Sequence, residues 1–121
     1  MYAAAATRKW LSERSADVPE SLLARMERAV DDVALDHHGV QDDAGVPDVL
    51  AAAAVLCLRE AAADCDVRDA ALPLLAADAL MTAAFEAAAG VDDPATALQA
   101  LRALCDEYDV HRIAAQAGVP G

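Results

Sequence analysis

Val49-Leu50-Ala51-Ala52-Ala53-Ala54-Val55-Leu56-Cys57-Leu58 is apolar at every position. Wound as a helix, this stretch has no polar face, and a helix of that kind is covered by neighbours on all sides. Pro47 suits its first turn, where a missing N–H breaks no hydrogen bond. The pattern runs to about Ala63 and breaks at Asp64 to Asp66. A central helix needs other helices around it.

Those helices can be read outward in both directions. Toward the N-terminus, Leu22, Met26, Ala29, Val30 and Val33 form one stripe at helical spacing. Asp17 precedes the helix as a cap, Pro19 lies in its first turn, and Glu20 stands three residues past the cap. Arg25, Glu27, Arg28 and Asp31 are assigned to its surface, and Gly39 ends it. A shorter segment, Ala3 to Arg14, is expected to fray unless Trp10 and Leu11 dock it. Toward the C-terminus, Asp66 can cap a helical stretch in which Pro73 either makes a kink or marks a new start. Leu74, Leu80, Met81, Ala84, Phe85 and Ala88 are expected on its buried side, and Gly90 stops it. Asp93-Pro94 is a cap followed by a first-turn proline. The last helix is predicted to run to about Ala117, with Leu98, Leu101, Leu104, Cys105 and Tyr108 facing inward.

No run alternates as a strand would, and alanine, leucine and arginine favour helix. The prediction is an all-α fold, a single compact bundle of four to five helices with mostly antiparallel neighbours. The chain of 121 residues has room for one domain, spanning 1–121, with residues 1–16 as the fraying helix.

Hydrophobic residues make up 57% of the chain but aromatics only 3%, so alanine supplies most of the apolar surface. Burial is worth roughly 25 cal/mol per Å², and each alanine contributes little area. A homo-oligomer or a protein partner is therefore expected to cover part of the molecule. Nine basic residues face 21 acidic ones, a formal net charge of −12. Such a surface repels nucleic acid and anionic lipid, whose binding needs basic groups to displace cations from phosphate. Lys9 is the lone lysine, asparagine is absent and aspartate exceeds glutamate. Short carboxylates hold water and cations in molar salt, where repulsion is screened within a few ångströms. This is the composition expected of a halophilic, salt-rich cytoplasm. The longest apolar run, Val49 to Leu58, is half what a membrane span needs, so no span is expected.

Cys57, Cys65 and Cys105 form no C-x-x-C, so neither a disulfide framework nor a zinc knuckle is indicated. Burial disfavours a thiolate at Cys57, and neither Cys65 nor Cys105 has a nearby histidine in sequence. There is no G-x-S-x-G and no glycine-rich phosphate loop, and His111 reads as a packed or surface residue. No catalytic and no cofactor-binding residues are assigned. The densest polar cluster runs from Asp31 to Asp43. Within it, Asp32 and Asp36 lie one helical turn apart, a spacing that can hold a hydrated magnesium ion. His37 and His38 can add nitrogen ligands for a transition metal. The same histidines also suit a helix C-terminus without any metal. Asp78, at helical spacing with Thr82 and Phe85, is read as a buried polar position. It would need a partner such as Arg59, Arg68 or Arg102.

Ala77-Asp78-Ala79-Leu80-Met81-Thr82-Ala83-Ala84-Phe85-Glu86 resembles a helix of the isoprenyl diphosphate synthases, where a G-D-x-L-L/Q-x-x-A-F-E pattern is common. The loop and helix over Asp92 to Gly118 look like that fold's next element, so the resemblance covers about 40 residues at most. Ala77 stands where the family usually has glycine. The family's two aspartate-rich motifs are missing, since Asp31, Asp32 and Asp36 have a D-D-x-x-x-D spacing, and its basic diphosphate clamp is missing too. The resemblance implies a truncated or regulatory subunit, magnesium-dependent if active. The residues themselves favour a non-catalytic helical accessory or interaction protein without a cofactor.

Overall fold

The computed structural model describes residues 4–36, 45–63 and 67–107. Five helices are described: α1 (Ala4–Arg14), α2 (Glu20–Asp36), α3 (Val46–Ala63), α4 (Val67–Ala89) and α5 (Pro94–Glu107). They pack as an all-α bundle, and no strand occurs among the described residues.

Helix α3 is its centre. It touches all four of the other described helices, and its longest seam is with α4. Pro47, Val49 to Val55 and Cys57 are buried along it. Its start is held by two hydrogen bonds: the Val49 N–H donates to the Gly45 carbonyl at 3.2 Å, and the Gly45 N–H to Asp48 Oδ2 at 3.2 Å. Gly45 thus takes the cap position and Asp48 reaches back to it, one half of a capping box.

The expected stripe of α2 is in place. Met26, Ala29, Val30 and Val33 are buried, and Leu22 is half-buried against them. Its start lies later than the cap read at Asp17. The Leu23 N–H donates to the Pro19 carbonyl at 2.9 Å, so Pro19 itself takes the cap position. The chain before it is occupied in a turn, with the Val18 N–H on the Ser15 carbonyl at 3.1 Å. Helix α1 docks on α2 and α3 chiefly through Thr7 and Leu11, both buried, while Trp10 is half-buried at the edge. The buried Ser15 hydroxyl donates to the Leu11 carbonyl.

Helix α4 continues through Pro73. Its buried side corrects the sequence reading. Ala76, Ala77, Leu80, Ala83, Ala84, Ala87 and Ala88 are buried, but Leu74 and Phe85 are 52% and 40% exposed. Size is the physical reason. The inner side of α4 is alanine around a single leucine, Leu80, and α3, against which it packs, carries the buried run Ala51 to Ala54; small side chains on both helices suit a close approach. Larger residues are left outside. In α5, Leu101 is buried but Leu98 is 37% exposed, against expectation. The side chains of Leu104 and Cys105, and all of Tyr108, lie outside the described residues.

Asp93 caps α5 as expected, and Pro94 follows as its first residue. Its Oδ1 accepts from the Thr96 N–H at 3.3 Å and its Oδ2 from the Thr96 hydroxyl at 2.6 Å. These bonds hold the Asp93 carboxyl below its ordinary value of 3.8. A depressed pKa means the capped form is stabilising above the ordinary value, and that contribution fades as pH falls through the lowered one. Asp93→Ala should lower the melting temperature at neutral pH, with the difference from wild type closing in acid. Thermal melts across pH measure it.

Candidate functional site

The side chains that combine charge with accessible space lie between α1 and α4. Trp10, Leu11, Arg14, Ser15, Val18 and Met26 line one wall and the floor of a hollow of about 300 Å³. Asp78, Ala79, Thr82, Ala83 and Glu86 form the wall opposite. A second hollow of about 590 Å³ continues it past Gly90 and Val91 to Gly45, Val46 and Pro47, and shares Trp10, Arg14 and Glu86 with the first. The Arg14 guanidinium stacks over the Trp10 ring, 4.3 Å from its centroid. It also donates to the Trp10 carbonyl at 3.4 Å and pairs with Glu13 at 3.6 Å.

Asp78 and Thr82 are exposed here, which corrects the expectation of a buried polar pair. They do share a helix face, as the spacing implied. It is the outer face, because the inner one is taken by Ala76, Ala77, Leu80, Ala83 and Ala84. In this position Asp78 is solvated and needs no buried arginine.

A largely covered charge lies elsewhere, at the α2–α3 seam. The Arg25 side chain is only 12% exposed and pairs with Glu60, although the sequence reading placed Arg25 on the surface. The spacing carried the missed signal: Leu22, Arg25 and Ala29 are successive positions of one helix face. Cys57 lies within reach of this seam. Burial pushes its thiol above the ordinary 9.0, the Arg25 charge draws it back and Asp32 adds to the rise. The thiol is neutral near pH 7. In a chain with Cys65→Ser and Cys105→Ser, Cys57 should resist an aqueous disulfide reagent until the fold is opened by denaturant. Stability from the neutral thiol is full below 9.0 and is lost as pH rises through the raised value.

Of the proposed metal ligands, Asp32 is half-buried on α2. Asp36 ends that helix with its side chain outside the described residues, as are His37, His38 and the rest of the cluster to Asp43. The Asp32 charge acts on the Cys57 thiol at the α2–α3 seam, whereas Asp78 lines the α1–α4 groove, so these two carboxylates stand at different places in the bundle. Among the described residues no group of three or more histidine, cysteine, aspartate or glutamate side chains is placed to hold a metal ion.

The chain matches no family model, no curated protein and no solved structure.

A third feature is the outer side of α4. Leu74, Leu75 and Phe85 are exposed there, on a face they share with the exposed Asp78, Thr82 and Glu86; Leu72, Val91 and Leu98 are exposed as well. By length and composition alone, Arg68–Ala89 is long and apolar enough to cross a bilayer, and 39% of its most apolar window is buried inside the bundle. That buried share is the alanine side packed on α3.

Proposed function

We propose that this protein is a non-catalytic helical interaction protein of a salt-rich cytoplasm, and that it associates with a second copy of itself through the outer side of α4. The observation that carries this reading is the inverted placement of apolar residues on that helix. Leu74 and Leu75 are 52% and 57% exposed while Ala76, Ala77, Ala83, Ala84, Ala87 and Ala88 are buried. Clustered large apolar side chains on a surface mark a place where another surface sits. Salt argues for a second copy as the occupant. A charge of −12 on each copy opposes self-association in dilute buffer, but at about 1 M salt the screening length falls to roughly 3 Å. Apolar contact then decides the outcome. The separate places of Asp32 and Asp78 support a non-catalytic role over a magnesium-dependent one.

Sedimentation in molar KCl tests this. The wild-type chain should associate in a concentration-dependent way, and a Leu74→Glu/Leu75→Glu variant, altered only at exposed positions, should sediment as a folded monomer. A wild-type monomer in molar KCl, or transfer of the chain into lipid vesicles in place of self-association, overturns the reading.

A further inference from the structure

We propose that the groove between α1 and α4 binds a small organic cation, with a guanidinium or primary ammonium head on a short apolar stem. Three features converge there. The Trp10 ring already holds a guanidinium, that of Arg14, at 4.3 Å, the geometry in which a cation is attracted to the negative face of an aromatic ring. Across the groove, Asp78, Thr82 and Glu86 follow one another at four-residue intervals along α4, so two carboxylates with a hydroxyl between them line one wall. The floor, with Leu11, Met26 and Ala83, is apolar. A head that lies over the ring and meets the carboxylates, on a stem that covers the floor, uses all three.

Arg14 is the internal stand-in for this ligand. Its side chain is 50% exposed and its partners are the Trp10 ring, a backbone carbonyl and the adjacent, exposed Glu13. It can swing into water at little cost, because an exposed ion pair and an exposed cation–ring contact each contribute little. The incoming cation then takes its place over the ring and adds the contacts to Asp78 and Glu86 that the site offers. The groove carries two carboxylates against one guanidinium, so exchanging one cation for another keeps the local balance, while an anion would be repelled. None of this depends on self-association through Leu74 and Leu75.

Trp10 is the single tryptophan of the chain, so its fluorescence reports the site directly. Agmatine is the probe, titrated into dilute, monomeric protein at fixed ionic strength, with KCl titrated as the control. The expected result is a saturable change in emission that KCl does not produce. Asp78→Asn/Glu86→Gln, both exposed, should leave the helical circular dichroism intact and weaken half-saturation about tenfold, the effect of losing two exposed ion pairs. Arg14→Ala should strengthen binding about threefold or more, because it removes the competing cation from the ring. A role for Arg14 that is merely structural would not produce that gain. A response that does not saturate, one that KCl matches, one that the carboxylate variant leaves unmoved, or weaker binding in Arg14→Ala overturns the proposal.

Discussion

Ala84→Leu is expected to destabilise the fold by about 1–3 kcal/mol, while Phe85→Ala, one residue along, changes it by less than about 1 kcal/mol. The ordering is the reverse of what side-chain size suggests. Ala84 is fully buried on the side of α4 that meets α3. Three further heavy atoms there must push the helices apart or force strained rotamers, and a close-packed interior resists both. Phe85 is 40% exposed, and its removal takes away partial contacts without opening a cavity. Urea denaturation of both variants, at concentrations where the chain is monomeric, gives the comparison. Leu80→Ala in the same series should cost about 2–5 kcal/mol, since Leu80 is one of the few large side chains in the seam with no exposure at all.

The second large effect is that of salt. The melting temperature should rise on the order of 10 °C between dilute buffer and molar KCl, the shift that a few kcal/mol of relieved repulsion produces in a chain of this size. With 21 carboxylates and nine basic side chains, most acidic groups have no cation of their own. Arg8 serves both Glu27 at 3.7 Å and Asp31 at 3.8 Å, while Arg25 is committed to Glu60 at the α2–α3 seam. The rest of the repulsion is left for dissolved cations to screen. Melting curves in a KCl series measure this. An equal midpoint in dilute buffer would contradict adaptation to a salt-rich cytoplasm and would leave the bundle itself unaffected.

These two predictions separate what was legible in the residues from what was not. The central helix could be read because an unbroken apolar run leaves no alternative to burial, and α3 is central. The stripe of α2 could be read because its valines and Met26 contrast with charged neighbours. The cap at Asp93 could be read because an aspartate before a proline has one common use, and Thr96 completes it. Helix α4 offers no such contrast. Alanine occupies so many of its positions that periodicity in alanine carries no phase, so the side expected to be inner mixes residues that are buried, Leu80, Ala84 and Ala88, with two that are exposed, Leu74 and Phe85. Packing on α3 keeps Leu80, Ala84 and Ala88 inward and leaves Leu74 and Phe85 outside. The error carried over to Asp78 and Thr82, which share a face with Phe85 and went outward with it. Arg25 was missed for a related reason. A charged residue is assigned to the surface by default; the spacing of Arg25 with Leu22 and Ala29 pointed inward, but the partner that makes the low exposure tolerable, Glu60, lies on a separate helix and is invisible in local sequence. The α1–α4 groove was not legible at all, because Trp10 and Glu86 are brought together by the tertiary fold.

Carbene labelling in molar KCl, read residue by residue by mass spectrometry at low and high protein concentration, tests most directly whether small side chains fill the α3–α4 seam and large ones are left for association. The account predicts that Leu50 and Leu80 stay unlabelled throughout, while Leu74, Leu75 and Phe85 are labelled in the dilute monomer and protected as the protein is concentrated. Protection of Leu74 and Phe85 in the monomer, or labelling of Leu80 there, would contradict it.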